Sequence, residues 1–142
     1  MLFAKRERTI RRILVVEDEA LVAFDVEHLL GDAGYEVVAT VDNLEDAAAC
    51  IAESQLDLVL SDISLRGEGD GFDVARIAAE KGVPVLFVTG GTPDGARALA
   101  LGCLSKPYGE RTLKAALDAV DAILQGKKLK KLPAGLTLYE KA

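Results

Sequence analysis

From Ile10 to Gln125 short apolar runs alternate with amphipathic stretches, the pattern of repeated β-α units. Ile13-Leu14-Val15-Val16 is continuous and rich in β-branched residues, and it stops at Glu17-Asp18-Glu19. A strand without polar alternation is covered on both faces, which places it at the centre of a parallel sheet with three carboxylates just past its carboxyl end. Ala20 to Ala33 has helical spacing, with Val22, Val26, Leu29, Leu30 and Ala33 on one face and Gly34 as the stop. Tyr35 to Val41 is a second strand, followed by Asp42 or Asn43 as the cap of a helix through Ala47 to Ala52. Leu56 to Ser61 is the third strand, and Asp62 ends it.

The glycine-rich stretch from Ser64 to Gly71 is a loop, after which Phe72 to Glu80 resumes helical spacing. Val83 to Thr89 is the fourth strand, with Pro84 near its start, where a missing amide hydrogen is tolerated. Gly90-Gly91-Thr92-Pro93-Asp94-Gly95 breaks the pattern. Thr92 and Pro93 suit a cap and a first helical position for one or two turns over Ala96 to Leu101. Cys103-Leu104-Ser105 is a brief fifth strand before Lys106-Pro107, and Gly109 to Gln125 is a helix that buries Leu113, Ala116, Leu117, Val120 and Leu124. The pattern bounds one domain at 10–125 and a basic, then apolar, extension at 126–142. Leu136 to Tyr139 fits a short strand, a docking peptide or a frayed end.

A chain of 142 residues holds one core. Half of its residues are hydrophobic but few are aromatic, so Val, Leu, Ile and Ala must fill that core. The net charge of −6 argues against the broad basic surface of a non-specific DNA binder. Basic residues still cluster at both ends, at Lys5 to Arg12 and at Lys127 to Lys131. Solubilising charge is the plain reading; a docking surface requires that the fold join the two ends. Cys50 and Cys103 show no metal spacing and read as buried free thiols in a reducing compartment. No run approaches the ~18 apolar residues of a membrane span. The expectation is a cytoplasmic protein. His28, without a second histidine, reads as a surface residue.

In an open parallel sheet, ligands collect beyond the carboxyl ends of the strands. Four strands end there in polar groups: Glu17 and Asp18, Asp62, Thr89, and Lys106. Gathered carboxylates repel one another and ask for a cation, and an oxygen-only set favours Mg²⁺. The arrangement is coherent for phosphoryl transfer to a carboxylate. Glu17 and Asp18 hold the ion with Asp62 and the Ser64 backbone carbonyl. Asp62 attacks phosphorus, Lys106 adds positive charge, and Thr89 donates its hydroxyl to the product.

Ile13 to Glu19, Asp57 to Ile63, Pro84 to Gly90 and Ser105-Lys106-Pro107-Tyr108 together resemble the receiver domains of bacterial two-component signalling, over roughly Arg12 to Leu124. The resemblance implies a flavodoxin-like α/β fold, a doubly wound five-stranded parallel sheet of order 2-1-3-4-5. It implies an aspartyl phosphate on Asp62, catalytic roles for Thr89 and Lys106, and a cis bond before Pro107. The phosphoryl donor is then a sensor histidine kinase or phosphotransfer protein, and the output goes to a downstream protein partner. Self-phosphorylation from small donors and slow autodephosphorylation are expected rather than a metabolic reaction. No DNA-binding domain and no membrane segment are expected, and a homodimer is left open.

Departures from the family pattern bear on output. Lys106 follows Thr89 by only seventeen positions, fewer than usual, and the shortfall falls on the family's fourth helix. Phe87-Val88-Thr89-Gly90-Gly91-Thr92 resembles the Phe-x-Thr-Gly-x-Tyr signature of a subfamily in which that helix is shortened or missing, with Thr92 where the signature has Tyr. Cys103 stands at the switch-aromatic position, so Thr89, Gly90, Gly91 and Cys103 form the expected switch region. Arg66 replaces a loop proline, and Glu17 replaces an aspartate. Three rival readings remain: a receiver-like interaction module that works without phosphorylation, a small Mg²⁺-dependent phosphohydrolase, and a plain flavodoxin-like domain with no site. Against the phosphohydrolase, Glu17 and Asp18 are adjacent where an Asp-x-Asp pair is needed, and little chain is left for a substrate-closing cap.

Overall fold

The structure, a computed structural model, describes residues 8–91 and 99–139. The chain runs β1 (Arg12–Val16), α1 (Ala20–Asp32), β2 (Glu36–Val41), α2 (Leu44–Glu53), β3 (Leu58–Asp62), α3 (Gly71–Glu80), β4 (Val85–Thr89), β5 (Gly102–Ser105), α4 (Glu110–Leu124) and β6 (Leu136–Leu138). The strands form one sheet of order β2-β1-β3-β4-β5-β6. The first five are parallel, as expected; β6 is an addition, antiparallel to β5. Of the three fates open to Leu136 to Tyr139, the strand is the one realised, and Leu136 is buried in the core.

Alternation along β1 divides the interior into two layers, because successive side chains of a strand point to opposite faces. Ile13 and Val15 face Val26 and Leu30 of α1 and Leu113, Leu117 and Val120 of α4. Leu14 and Val16 face Ala47 and Ile51 of α2, Val74 and Ala78 of α3, and Phe87 of β4. The side chains of Ile13 to Val16 are all at most 2% exposed, which explains why the run carries no polar alternation.

Local chemistry fixes the helix ends. The Asn43 side chain accepts the Asp46 N–H at 2.8 Å, a cap worth about 1 kcal/mol. α3 starts at a reciprocal capping box: Asp70 accepts the Asp73 N–H and Asp73 accepts the Asp70 N–H. At the end of α1, the positive φ of Gly34 lets the Tyr35 N–H reach back to the Leu30 carbonyl. Tyr35 therefore completes the helix stop, and the strand begins one residue later than its apolar pattern implies.

Two expectations need correction. Leu124 is 40% exposed, because the inward face of the last turn of α4 is occupied by Asp121. That carboxylate accepts the backbone N–H groups of Thr9 at 3.0 Å and Ile10 at 3.3 Å, together with the Gln125 side-chain amide at 2.9 Å. Cys103 is a buried free thiol, but Cys50 is only half-buried on α2. Thr92 and Pro93, read as a helix start, lie outside the described residues. Of the turns expected over 96–101, the described part, Leu99 to Leu101, is turn and bend. His28 is exposed, its ring 4.3 Å from that of Phe24.

Candidate functional site

The carboxyl ends of β1, β3, β4 and β5 lie side by side, and each strand delivers one element of the site. Past β1, Glu17 continues the ladder by donating its N–H to the Val41 carbonyl, and its side chain turns back to accept the Glu19 N–H at 3.1 Å. Its carboxylate is buried, only 5% exposed. Asp18, next in the chain, is half-buried.

Asp62 is the last residue of β3. Its Oδ1 accepts the Ile63 N–H at 2.7 Å, and its carbonyl accepts the hydroxyl of the fully buried Ser61 at 2.8 Å. The loop beyond folds back so tightly that the Gly71 N–H donates to the Ile63 carbonyl at 2.7 Å. A Cβ on Gly71 would collide with the Asp62 carbonyl oxygen and lie 2.7 Å from Ile63 Cα. Glycine is thus the residue that lets α3 begin against the strand end. Ser64 is exposed in the bend after Asp62. Arg66 ties the loop to the next crossover, its N–H on the Asp42 carbonyl and its guanidinium 3.7 Å from the Asp42 carboxylate.

From β5, Lys106 donates its N–H to the Thr89 carbonyl at 2.8 Å and extends its ammonium across the cleft. Nζ lies 2.9 Å from Glu17 Oε1 and 2.8 Å from Asp62 Oδ2. Burial pulls the ammonium toward neutrality, but its hydrogen bonds to Asp62 and Glu17 and their negative charge outweigh that pull, and its pKa is raised. Glu17 is also raised: burial is the largest cause, only partly offset by Lys106 and the Glu19 N–H. Burial likewise pushes the Tyr108 hydroxyl up to about 12. The Lys106–Pro107 bond is cis.

Glu17, Asp18 and Asp62 each offer a carboxylate oxygen, and the three atoms lie within 4.8 Å of one another. Three ionised carboxylates facing one ammonium leave a net charge of about −2, which one divalent cation neutralises. All the donors are oxygens, the set that hard cations take. The residues present therefore fit a divalent metal.

Glu17, Asp18, Asp62 and Lys106 are thus brought together. Thr89 is adjacent, its hydroxyl accepting the Gly91 N–H at 3.2 Å, with Gly90 and Gly91 exposed beyond it. Cys103 sits apart, in the layer that holds Phe87, hydrogen-bonded to the Tyr139 side chain. That pairing was not foreseen. Its trace in the sequence is the spacing of Thr137 and Tyr139, two residues on one face of a strand.

The model of the response regulator receiver domain matches residues 13–118, the span that contains every strand end of this cleft. The chain belongs to that family. The receiver fold is shared with the signal receiver domain of a modulated diguanylate cyclase from Desulfovibrio desulfuricans G20, at 30% identity and a TM-score of 0.72 over 82% of this chain and 97% of that one. The chemotaxis response regulator CheY4 of Vibrio cholerae is similar at 30% identity and a TM-score of 0.69, over 79% of this chain and 99% of that one. Among curated relatives, the transcriptional regulatory protein PdtaR of Mycobacterium tuberculosis is 34% identical over 80 residues, and AruR of Pseudomonas aeruginosa 33% over 103. These matches cover 56% and 68% of this chain but only 38% and 41% of the relatives' own lengths. As a receiver, the chain is a signalling domain with a cluster of carboxylates able to hold a divalent cation. Among the described residues no helix is long and apolar enough to cross a membrane.

Proposed function

We propose that Asp62 is the phosphoryl acceptor of this receiver, with Mg²⁺ held by Glu17, Asp18, Asp62 and the Ser64 carbonyl. One observation carries the reading: Asp62 ends β3 at the focus of the cleft, facing the Lys106 ammonium at 2.8 Å and within 4.8 Å of the other two carboxylates. The Ile63 N–H holds Oδ1, which fixes the plane of the carboxylate before any donor arrives.

An Asp62 oxygen forms the new bond to phosphorus while the bond from phosphorus to the donor's imidazole nitrogen breaks and the electron pair stays with the imidazole. Lys106 leaves the Asp62 oxygen and follows the negative charge onto the phosphoryl oxygens. Thr89, its hydroxyl released from Gly91, donates to the same group. When bound, Mg²⁺ supplies the charge neutralisation that lets an anionic donor meet an anionic acceptor.

The donor is a histidine kinase or phosphotransfer protein of the cytoplasm, and a protein partner reads the modified surface. Leu21 and Phe24 stand 82% and 55% exposed on α1, beside a cleft lined by Val22, Leu29, Lys106 and Tyr108, and offer the donor an apolar foothold next to Asp62. Thr89, Gly90, Gly91 and Cys103 are proposed to carry the change outward. Phe87, Thr89 and Gly90 match the Phe-x-Thr-Gly-x-Tyr signature and favour membership of that subfamily, while Thr92 departs from it; residues 92–98 lie outside the described residues.

Intact-mass measurement after treatment with acetyl phosphate and Mg²⁺ tests the reading. One labile phosphoryl group is expected on the parent, none on Asp62→Asn, and strongly reduced labelling on Asp18→Asn. Equal labelling of parent and Asp62→Asn would place the acceptor elsewhere. A parent that stays unlabelled by small donors and by kinase alike would favour an interaction module that works without phosphorylation.

A further inference from the structure

The family match ends at residue 118, so β6 lies beyond it, yet the structure builds β6 into the edge of the sheet. The Ser105 N–H donates to the Gly135 carbonyl at 2.9 Å and the Tyr139 N–H to the Leu101 carbonyl at 2.8 Å, with Cys103 opposite Thr137 between them. β5 is shaped for this neighbour. A Cβ at Gly102 would strike the Thr137 carbonyl oxygen and lie 3.0 Å from Leu138 Cδ2. On the other face, Tyr139 reaches Cys103 and joins the layer of Phe87. An aromatic ring from β6 therefore stands beside the small side chain of Cys103.

The same strand is short and lies at the edge of the sheet. It is three residues long, Thr137 at its middle is exposed, and it follows a stretch broken by Gly126, Pro133 and Gly135. Short edge elements with few buried contacts open at a small fraction of the global stability. Its attachment to the Asp62 cleft is direct. Ser105 and Lys106 are consecutive, and their amides point to opposite neighbours: Lys106 N–H to Thr89 at the cleft, Ser105 N–H to Gly135 beside β6. A backbone shift at Lys106 would carry the adjoining Ser105 peptide with it and strain the bond to Gly135.

We propose that β6 is a displaceable edge strand, held on β5 while Asp62 is unmodified and released when the cleft is phosphorylated, so that the Gly102–Ser105 edge and Tyr139 become the altered surface. This rests on the acceptor reading of Asp62 and adds how its state leaves the cleft. Coupling is reciprocal: if a bound phosphoryl group or its mimic favours release of β6 by some factor, full release of β6 favours that binding by the same factor.

The test uses the full chain with Mg²⁺, with and without beryllofluoride. Hydrogen exchange followed by mass spectrometry should quicken over Leu136 to Tyr139 when beryllofluoride binds, while the amides of β1 and β3 keep their protection. Cys103 and Thr137 form a hydrogen-bonded rung, since the bonded pairs 101/139 and 105/135 flank them at two-residue spacing. Thr137→Pro removes a donor from that rung and should bind beryllofluoride about fivefold more tightly in calorimetry. Unchanged or slower exchange over Leu136 to Tyr139 in the unaltered chain, with beryllofluoride bound, would overturn the proposal and leave Asp62 as acceptor. No binding of beryllofluoride by the unaltered chain would overturn the acceptor reading, and this proposal with it.

Discussion

Lys106 Nζ and Asp62 Oδ2 are 2.8 Å apart, and the same ammonium lies 2.9 Å from Glu17. A single cation thus holds two carboxylates that would otherwise repel. In Lys106→Met the three acidic groups of the cleft face one another without it. The metal-free variant should lose about 2–4 kcal/mol of stability at neutral pH, since removing one partner of a buried pair leaves the other charge uncompensated. Mg²⁺ should then raise the melting temperature of Lys106→Met more than that of the parent. Equal Mg²⁺-induced shifts in scanning calorimetry would show that ammonium and metal do not share the same carboxylates.

Gly71 meets the Asp62 strand end at backbone distance. Gly71→Ala ordinarily favours a helix, by about 1 kcal/mol. Here the added methyl meets a carbonyl oxygen and Ile63 Cα, neither of them the flexible tip of a side chain. A net loss of about 1–3 kcal/mol in urea denaturation is expected, as for overpacking elsewhere, together with weaker Mg²⁺ binding, because the displaced segment carries Asp62. A stabilised variant with unchanged metal affinity would contradict the close approach.

Asp121 supports the fold rather than the cleft. Burial opposes its ionisation, but hydrogen bonds from Thr9 and Gln125, the Thr9 hydroxyl among them, and from the backbone of Thr9 and Ile10 hold its pKa below the usual range. A carboxyl depressed on folding contributes stability that is present above its unfolded pKa of about 3.9 and lost as the pH falls through the folded value. Asp121→Ala strands the Thr9 and Ile10 amides and should cost about 1–3 kcal/mol at pH 7. Asp121→Asn should cost less, and its deficit against the parent should narrow as the pH drops from about 5 toward 3. A deficit independent of pH would mean that the charge of Asp121 does not matter.

Most of the sheet was legible because its information is local. Continuous β-branched runs such as Ile13 to Val16 fit strands buried on both faces, and polar residues at four strand ends mark one rim of a parallel sheet. The candidate pocket residues stand within two positions of the end of an apolar run: Glu17 and Thr89 follow one directly, while Asp18, Asp62 and Lys106 come one polar residue later. What escaped depends on contacts between distant segments. Asp121 reads as an ordinary exposed position of an amphipathic helix until Thr9 and Ile10 are laid against it. Gly102 falls just before the strand that the sequence predicts at Cys103 to Ser105, and only the Thr137 carbonyl lying over it shows why it is a glycine. Gly71 looked like the last residue of a loop, although the Asp70 and Asp73 pair marks it as the first of a helix. Leu136 to Tyr139 is too short for its period to separate strand from frayed end, and only pairing with β5 decides.

Acidic groups sit at both rims of the sheet, but their charge is disposed differently. At the amino rim, Asp57 takes the backbone amides of Arg11 and Arg12, both at 2.9 Å, and Asp121 takes those of Thr9 and Ile10. Arg8 and Lys127 lie at this end too, through their bonds to Ala33 and Ala122. At the opposite rim three carboxylates cluster, two of them paired with the Lys106 ammonium. The Asp62 cleft is therefore a local negative pole at the carboxyl rim of the sheet. Small anionic phosphodonors approach that pole against the field, whereas a protein donor with a positive docking face is drawn to it. Both effects shrink as salt shortens the screening length to about 8 Å at physiological strength. The discrimination between donors thus begins before contact, in the direction from which each one arrives.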